Sequence, residues 1–205
     1  SCGWIGNQFT NFLDSVEEDI IYIRGSSRVD NTEALKAEIG LVKPSHIISF
    51  IGRTHGYIGN KEYSTIDYLE QNGKLVENIR DNLFSPISLA LICEKENIHL
   101  TYLGTGCIFN QDTFTDKVIG FTEKSEPNFF GSSYSVVKGF TDRLMHQLED
   151  TVLNLRIRMP IVDYDHNRNF ITKITNYEKI CSNQNSMTVL PELLPLVLEM
   201  MKKNL

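Results

Sequence analysis

The sequence predicts a doubly wound α/β fold, a parallel sheet with helices on both faces. Two observations carry this. Short apolar runs rich in β-branched residues alternate with stretches of helical periodicity, and the runs are near-continuous rather than alternating, as expected of strands buried on both sides. The two longest loops, 52–72 and 110–131, also follow strands, at the end where such sheets bind ligands. With 205 residues, 41% of them hydrophobic and 22% charged, the chain can form one large core.

Each element has a local reason. Phe9, Phe12, Leu13 and Val16 recur at helical spacing and give the first helix its apolar face. Ile20 to Ile23 reads as a short strand, and Thr32 to Val42 as a helix with Leu35, Ile39 and Val42 on one side. His46 to Gly52 reads as a buried strand ended by glycine. A long helix is expected from Lys74 to Glu96, kinked near Pro86 because proline lacks a backbone donor. Strand His99 to Gly104, helix Ser132 to Leu148, strand Val152 to Ile157, and helices Asn169 to Tyr177 and Pro191 to Lys203 follow. No internal repeat or low-complexity linker interrupts them.

Composition narrows the function. Twenty-six acidic against twenty basic residues give a net charge of −6, which argues against a nucleic-acid partner. No apolar run reaches the roughly 18 to 20 residues of a membrane span, and no secretory signal precedes the first element. The four cysteines, Cys2, Cys93, Cys107 and Cys181, make no Cys-x-x-Cys pair and no zinc spacing with the histidines, so reduced thiols in a cytoplasmic protein and no bound metal are expected.

Chemistry concentrates in Gly131 to Lys138. Tyr134 and Lys138, four residues apart at a helix start, share one face. A free tyrosine has a pKa of about 10, and a neighbouring ammonium moves it toward working pH. The pair alone fits a surface aromatic and a solvated lysine as well. Thr105 and Cys107 share a strand face if the extended backbone continues past Gly104. Gly3 and Gly6 fit the second and third glycines of Gly-x-x-Gly-x-x-Gly, the turn that brings a pyrophosphate to a helix N-terminus, or a plain helix-leading turn. After the Ile20 to Ile23 run stands Arg24-Gly25-Ser26-Ser27-Arg28, where a carboxylate would favour NAD. Arginine accommodates a 2′-phosphate, so Arg28 points to NADP or is a surface residue.

Together, Thr105, Cys107, Tyr134 and Lys138 resemble the active site of the extended short-chain dehydrogenase/reductases, which have a Rossmann-type fold. Lys43-Pro44-Ser45-His46, Thr105-Gly106-Cys107-Ile108-Phe109, Pro127-Asn128-Phe129, Arg156-Ile157-Arg158-Met159-Pro160 and Asn169-Phe170-Ile171-Thr172-Lys173 look like nucleotide-rhamnose synthases. These are bifunctional 3,5-epimerase/4-reductases related to dTDP-4-dehydrorhamnose reductase. The likeness covers nearly the whole chain, but the family's first strand and first glycine are not in it, and family members continue past Leu205. It implies a dinucleotide-binding domain over 1–205, with 160–205 starting the substrate-binding region. It also implies NADPH, held by Gly3, Trp4, Ile5, Gly6, Arg28, Asn82, Tyr134 and Lys138, with Asn82 positioning a water beside Lys138. The implied substrate is a UDP- or dTDP-linked 4-keto-6-deoxyglucose, touched by Thr105, Cys107 and Asn169; homodimer formation stays open.

The resemblance implies a division of labour. Tyr134, Lys138 and Thr105 serve reduction at C4, while Cys107 removes a carbon-bound proton and Lys173 returns one, with His166 the runner-up for that acid. His55 contacts substrate or caps its loop. Reductases limited to the final step commonly carry Thr-Asp-Tyr where this chain has Thr105-Gly106-Cys107, which favours the two-step reading. The competing readings are a 4-keto reductase only, a GDP-fucose-type synthase, and a non-catalytic NADP-binding regulatory subunit.

Overall fold

The computed structural model describes residues 3–110, 120–180, 182 and 185–205. In chain order the elements are α1 (Trp4–Ser15), α2 (Thr32–Val42), β1 (His46–Ser49), β2 (Gly56–Ile58), β3 (Lys61–Tyr63), α3 (Leu75–Ile79) and α4 (Ser85–Glu96). Then come β4 (His99–Thr105), α5 (Ser133–Met145), β5 (Val152–Ile157), β6 (Pro160–Ile161), α6 (Phe170–Ile174), β7 (Thr188–Val189) and α7 (Leu190–Lys202).

The central sheet is parallel, in the order β1-β4-β5. His46 lies opposite His99 and Ser49 opposite Tyr102, while Leu100 to Thr105 run alongside Val152 to Ile157. Strand alternation then sorts the side chains into two layers. Ile47, Leu100, Tyr102 and Val152 pack with Leu35 and Ile39 of α2, Leu89 and Cys93 of α4, and Met145 of α5. Ile48 and Leu155 turn the other way, onto Phe9 of α1 and Leu194, Val197 and Leu198 of α7. Helices cover both faces, so the doubly wound architecture holds, with α7 part of the same core as α1. Each such apolar side chain stabilises by roughly 1.5–3 kcal/mol when fully buried.

Three local expectations change. Ile20 to Ile23 is not a strand: it has no ladder partner, and Ile21 and Ile23 are 88% and 62% exposed. Between this segment and β1 lies a cavity of about 700 Å³, and among the described residues β1 has a hydrogen-bonded neighbour on one side only. The expected strand from His46 stops at Ser49 rather than Gly52, and α6 is shorter than the stretch Asn169 to Tyr177.

The helix over 75–96 is continuous. A π-helical segment, Arg80–Phe84, precedes Pro86, which then sits in the first turn of α4. Proline cannot bond the carbonyl four residues back, here that of Asn82. That oxygen instead accepts from Thr141 Oγ1 of α5 at 2.6 Å, tying the helix to the element that carries Tyr134 and Lys138.

Within 52–72 the chain folds into the hairpin β2–β3, turning at Gly59 and Asn60, where Gly59 has φ +57°. Its first residue, Gly56, is placed so that a Cβ would stand 2.5 Å from the Tyr68 ring, so only glycine lets Tyr68 seat there. β6 and β7 form a second small parallel pair. No helix among the described residues is long and apolar enough to cross a membrane.

Candidate active site

The site forms where β4 ends and α5 begins. Ser132 caps α5 by accepting from the Ser135 N–H at 3.0 Å. The Glu70 carboxylate accepts from the N–H groups of Ser133 and Tyr134 at 3.1 and 3.3 Å, adding a negative charge to the positive end of the helix. Ser135 Oγ donates to the Cys107 carbonyl at 2.7 Å, and the Cys107 N–H donates to Thr105 Oγ1 at 3.1 Å. These bonds bring Thr105, Cys107 and Tyr134 together. Tyr134 is buried against Tyr68 and Leu69, with Cys107 at the edge of that cluster.

Burial sets the electrostatics. The Tyr134 phenol titrates above its ordinary range because burial disfavours the phenolate and a charge on Cys107 would oppose it; a hydrogen bond with Thr105 acts in the other direction. Burial also brings Lys138 down to about 8, against the pull of Asp142 and Cys107. Lys138 finds its hydrogen-bond partner on the strand rather than on its own helix. Its ammonium is hydrogen-bonded to the hydroxyl of Tyr102, a buried residue on β4 for which the local sequence carries no signal.

Asn82 is equally committed elsewhere. Its amide accepts from the Arg53 N–H at 2.8 Å and donates to the Arg53 carbonyl and Asn78 Oδ1, so its side chain braces the loop after β1. Asn169 is likewise a brace: it caps α6 and donates to the carbonyls of Val162 and Tyr164 at 3.1 and 2.8 Å. The amides of both residues are used on backbone and neighbouring side chains.

Lys173, half-buried, titrates below its ordinary range through burial and the nearby Arg168. Arg168 donates to His55 Nε2 at 2.7 Å, and burial followed by Arg168, Arg53 and Lys173 holds His55 below its usual pKa, with Glu62 opposing. His55 is thus tied to Arg168, with Lys173 nearby. His166 stacks on Trp4, ring centroids 4.9 Å apart and planes within 6°, joining the first helix to the 163–169 loop. Cys93 is buried, and its thiol is pushed up to about 12, the signature of an inert core residue. Cys2 and Cys181 lie outside the described residues.

The family is decided by comparison with known proteins. The L780 protein of Acanthamoeba polyphaga mimivirus is 56% identical over 199 residues, which cover 97% of this chain and 67% of that one. Its crystal structure, named as that of a UDP-rhamnose synthase, matches with a TM-score of 0.90 over 98% of this chain and 69% of the other. This chain belongs to the nucleotide-rhamnose synthase family. An Arabidopsis thaliana bifunctional dTDP-4-dehydrorhamnose 3,5-epimerase/dTDP-4-dehydrorhamnose reductase is 40% identical over 206 residues, covering 99% of this chain and 64% of it. The chain thus spans about two thirds of the length of these relatives. A Bacillus anthracis dTDP-4-dehydrorhamnose reductase, solved in complex with NADP, shares the fold at TM-score 0.72 and 17% identity, covering 98% of this chain and 68% of that one. No protein-family model matches the chain.

The start of α1 fits a dinucleotide. α1 starts at the Gly3 N-cap with no capping side chain and no acidic residue in its first turn, a setting that favours an anion. Among the described residues, Trp4 Nε1 and Gln8 Nε2, one turn apart on α1, are buried without hydrogen-bond partners and so suit a polar ligand. The cavity of about 700 Å³ is different in kind: besides Gly6, Thr10, Arg24 and Gly25 it is lined by the whole of β1 and by Leu13, Ile39, Val42 and Leu198, the setting of a sheet neighbour rather than of a pyrophosphate. Arg28, the residue expected at a 2′-phosphate, is not in that lining. It is 65% exposed and bonded to Asp30 through both Nε and Nη2, each at 2.9 Å.

Proposed function

We propose that this chain carries the reaction centre of an NADPH-dependent nucleotide-rhamnose synthase. The reaction is 3,5-epimerisation and 4-keto reduction of a UDP- or dTDP-linked 4-keto-6-deoxyglucose. The observation that supports this best is the convergence of Thr105, Cys107 and Tyr134 at the end of β4. Residues 160–205 are assigned to the start of the substrate-binding region, with Arg168 and Lys173 facing the His55 loop.

When bound, NADPH supplies the hydride for C4; Gly3, Trp4, Ile5 and Gly6 at the start of α1 would hold its pyrophosphate. Tyr134 donates the proton to the C4 oxygen, and its raised pKa keeps it protonated until charge develops there. Thr105 donates a second hydrogen bond to that oxygen. For epimerisation the same ketone acidifies the hydrogens on C3 and C5. Cys107 as thiolate removes one, Thr105 and Tyr134 stabilise the enolate, and the Lys173 ammonium returns a proton from the opposite face. The lowered pKa of Lys173 makes it a better donor than an ordinary lysine.

The test uses the protein extended to the full length of its relatives, incubated with UDP- or dTDP-4-keto-6-deoxyglucose and NADPH, with the sugar product identified by NMR. A nucleotide-linked rhamnose is expected. The absence of both NADPH consumption and solvent deuterium at C3 or C5, with either nucleotide, would sink the reading.

A further inference from the structure

We infer that Tyr102 is a positioning residue for Lys138, supplying the hydroxyl that holds the ammonium at the floor of the cleft and keeps it charged there. Its catalytic meaning rests on the reading just proposed, but its physical content concerns this chain alone.

Tyr102 stands in the middle of β4 on the face that packs against α4 and α5, and it is 1% exposed; Lys138, on α5, is 4% exposed. An ammonium in such a place is costly unless something accepts its hydrogen bonds. The titratable and charged groups around it are Tyr134 and Asp142 on its own helix, Cys107 after β4, and Tyr102 on β4. Asp142 is the carboxylate one turn along α5, but it is taken. Arg156 of β5 binds it through Nε and Nη2 at 2.8 and 2.7 Å, and Asn154 adds a third bond at 2.9 Å. Among the described residues the Tyr102 hydroxyl is the hydrogen-bond partner of Lys138.

The choice of a phenol matters. Burial holds Tyr102 well above its ordinary pKa, with the charges of Tyr134 and Asp142 adding to the effect, so it stays neutral. A neutral acceptor orients the ammonium without cancelling its charge. A carboxylate in that place would lock the lysine in an ion pair and remove the charge that Tyr134 and a ribose hydroxyl need.

The deciding experiment is Tyr102→Phe, which removes one oxygen and keeps the ring in the core. In the cofactor-free protein, selectively ¹³C-labelled at lysine Cε and assigned with Lys138→Met, the Lys138 resonance in the parent chain should titrate near the value set by burial, about 8. Loss of the hydroxyl should lower that midpoint by about one to two units, a tenfold to hundredfold change in proton affinity. In the extended enzyme, the alkaline limb of kcat for C4 reduction should move down with it while KM for the sugar stays put. A merely structural tyrosine would alter the melting temperature and leave both midpoints where they were, which would overturn the assignment.

If Tyr102→Phe does not fold, the parent protein still decides. A tyrosine ¹³Cζ resonance must report the Lys138 midpoint without itself ionising, and its absence overturns the inference. A shifted lysine midpoint in a protein with no reductase activity would leave Tyr102 in place and remove the proposed function instead.

Discussion

Two apolar runs of similar composition, Ile20-Ile21-Tyr22-Ile23 and His46-Ile47-Ile48-Ser49, meet opposite fates. The second is a strand: it pairs with β4 along its length and sends Ile47 to one layer and Ile48 to the other. The first is unpaired, with Ile21 and Ile23 largely in solvent beside the cavity at β1. Strand propensity is thus a statement about neighbours more than about the residues. The same contrast divides the site. On the β4 side, Glu70, Ser132, Ser135 and Asn82 satisfy their partners around Thr105 and Tyr134, whereas at the start of α1 the donors of Trp4 and Gln8 are buried without partners among the described residues.

If the β4 side is already organised for chemistry, its residues should separate the two reactions cleanly. In the extended enzyme, Tyr134→Phe should suppress C4 reduction while deuterium exchange at C3 or C5 continues more slowly through Thr105. Cys107→Ala should stop the exchange and leave some reduction. Each loss is expected at about 10²- to 10⁴-fold, the usual worth of a positioned acid or base. Wild-type exchange in Cys107→Ala would reduce the thiol to packing and the protein to a 4-keto reductase.

The elements that carry the site were legible in part from sequence. Helical periodicity located α1, α2, α5 and α7, and Tyr-x-x-x-Lys placed Tyr134 and Lys138 on one helix face. What was missed depends on contacts between distant elements. Tyr102 and Lys138 meet across a strand and a helix, and Glu70 reaches α5 from a loop more than sixty residues earlier. Asn82 and Asn169 look like ligand amides in sequence, yet both are engaged by backbone. The Gly59-Asn60 turn of the β2–β3 hairpin was a readable signal, but exposed Tyr57 and Ile58 hid the alternation that marks a strand.

The bond between Thr141 Oγ1 and the Asn82 carbonyl tests how far the organised side depends on one contact. Thr141→Val keeps the shape and removes the donor, stranding an oxygen that Pro86 cannot serve. Urea unfolding should show a loss of about 1–3 kcal/mol, the cost of an unsatisfied buried carbonyl. A loss below the error of the measurement would mean that the π segment finds another donor.

On the cavity side the effects should be smaller. Glu38, brought down to about 2 chiefly by the Ser26 N–H and also by Ser27, already holds the loop that leads to Arg28. Arg28 must leave Asp30 to reach a phosphate. Arg28→Ala is expected to weaken NADPH binding by about tenfold and NADH hardly at all, because an exposed charge-assisted contact lies at the low end of its range. Equal losses for the two cofactors, read by fluorescence titration, would move the role to Arg24, which lines the cavity.

The smallest expected effect is the one that can break the comparison. Ile21 is 88% exposed, so Ile21→Ser in this chain should leave stability within about 0.5 kcal/mol, as surface changes do. In the protein extended to the length of its relatives, an added strand that pairs with β1 in the cavity would give Ile20 to Ile23 a partner. The same substitution should then cost about 1.5–3 kcal/mol, the value of a buried isoleucine. Urea unfolding of both variants reads the difference. Equal, small losses in the two lengths would show that the run stays in solvent whatever stands beside β1, and that its β-branched composition, rather than a missing neighbour, misled the strand assignment.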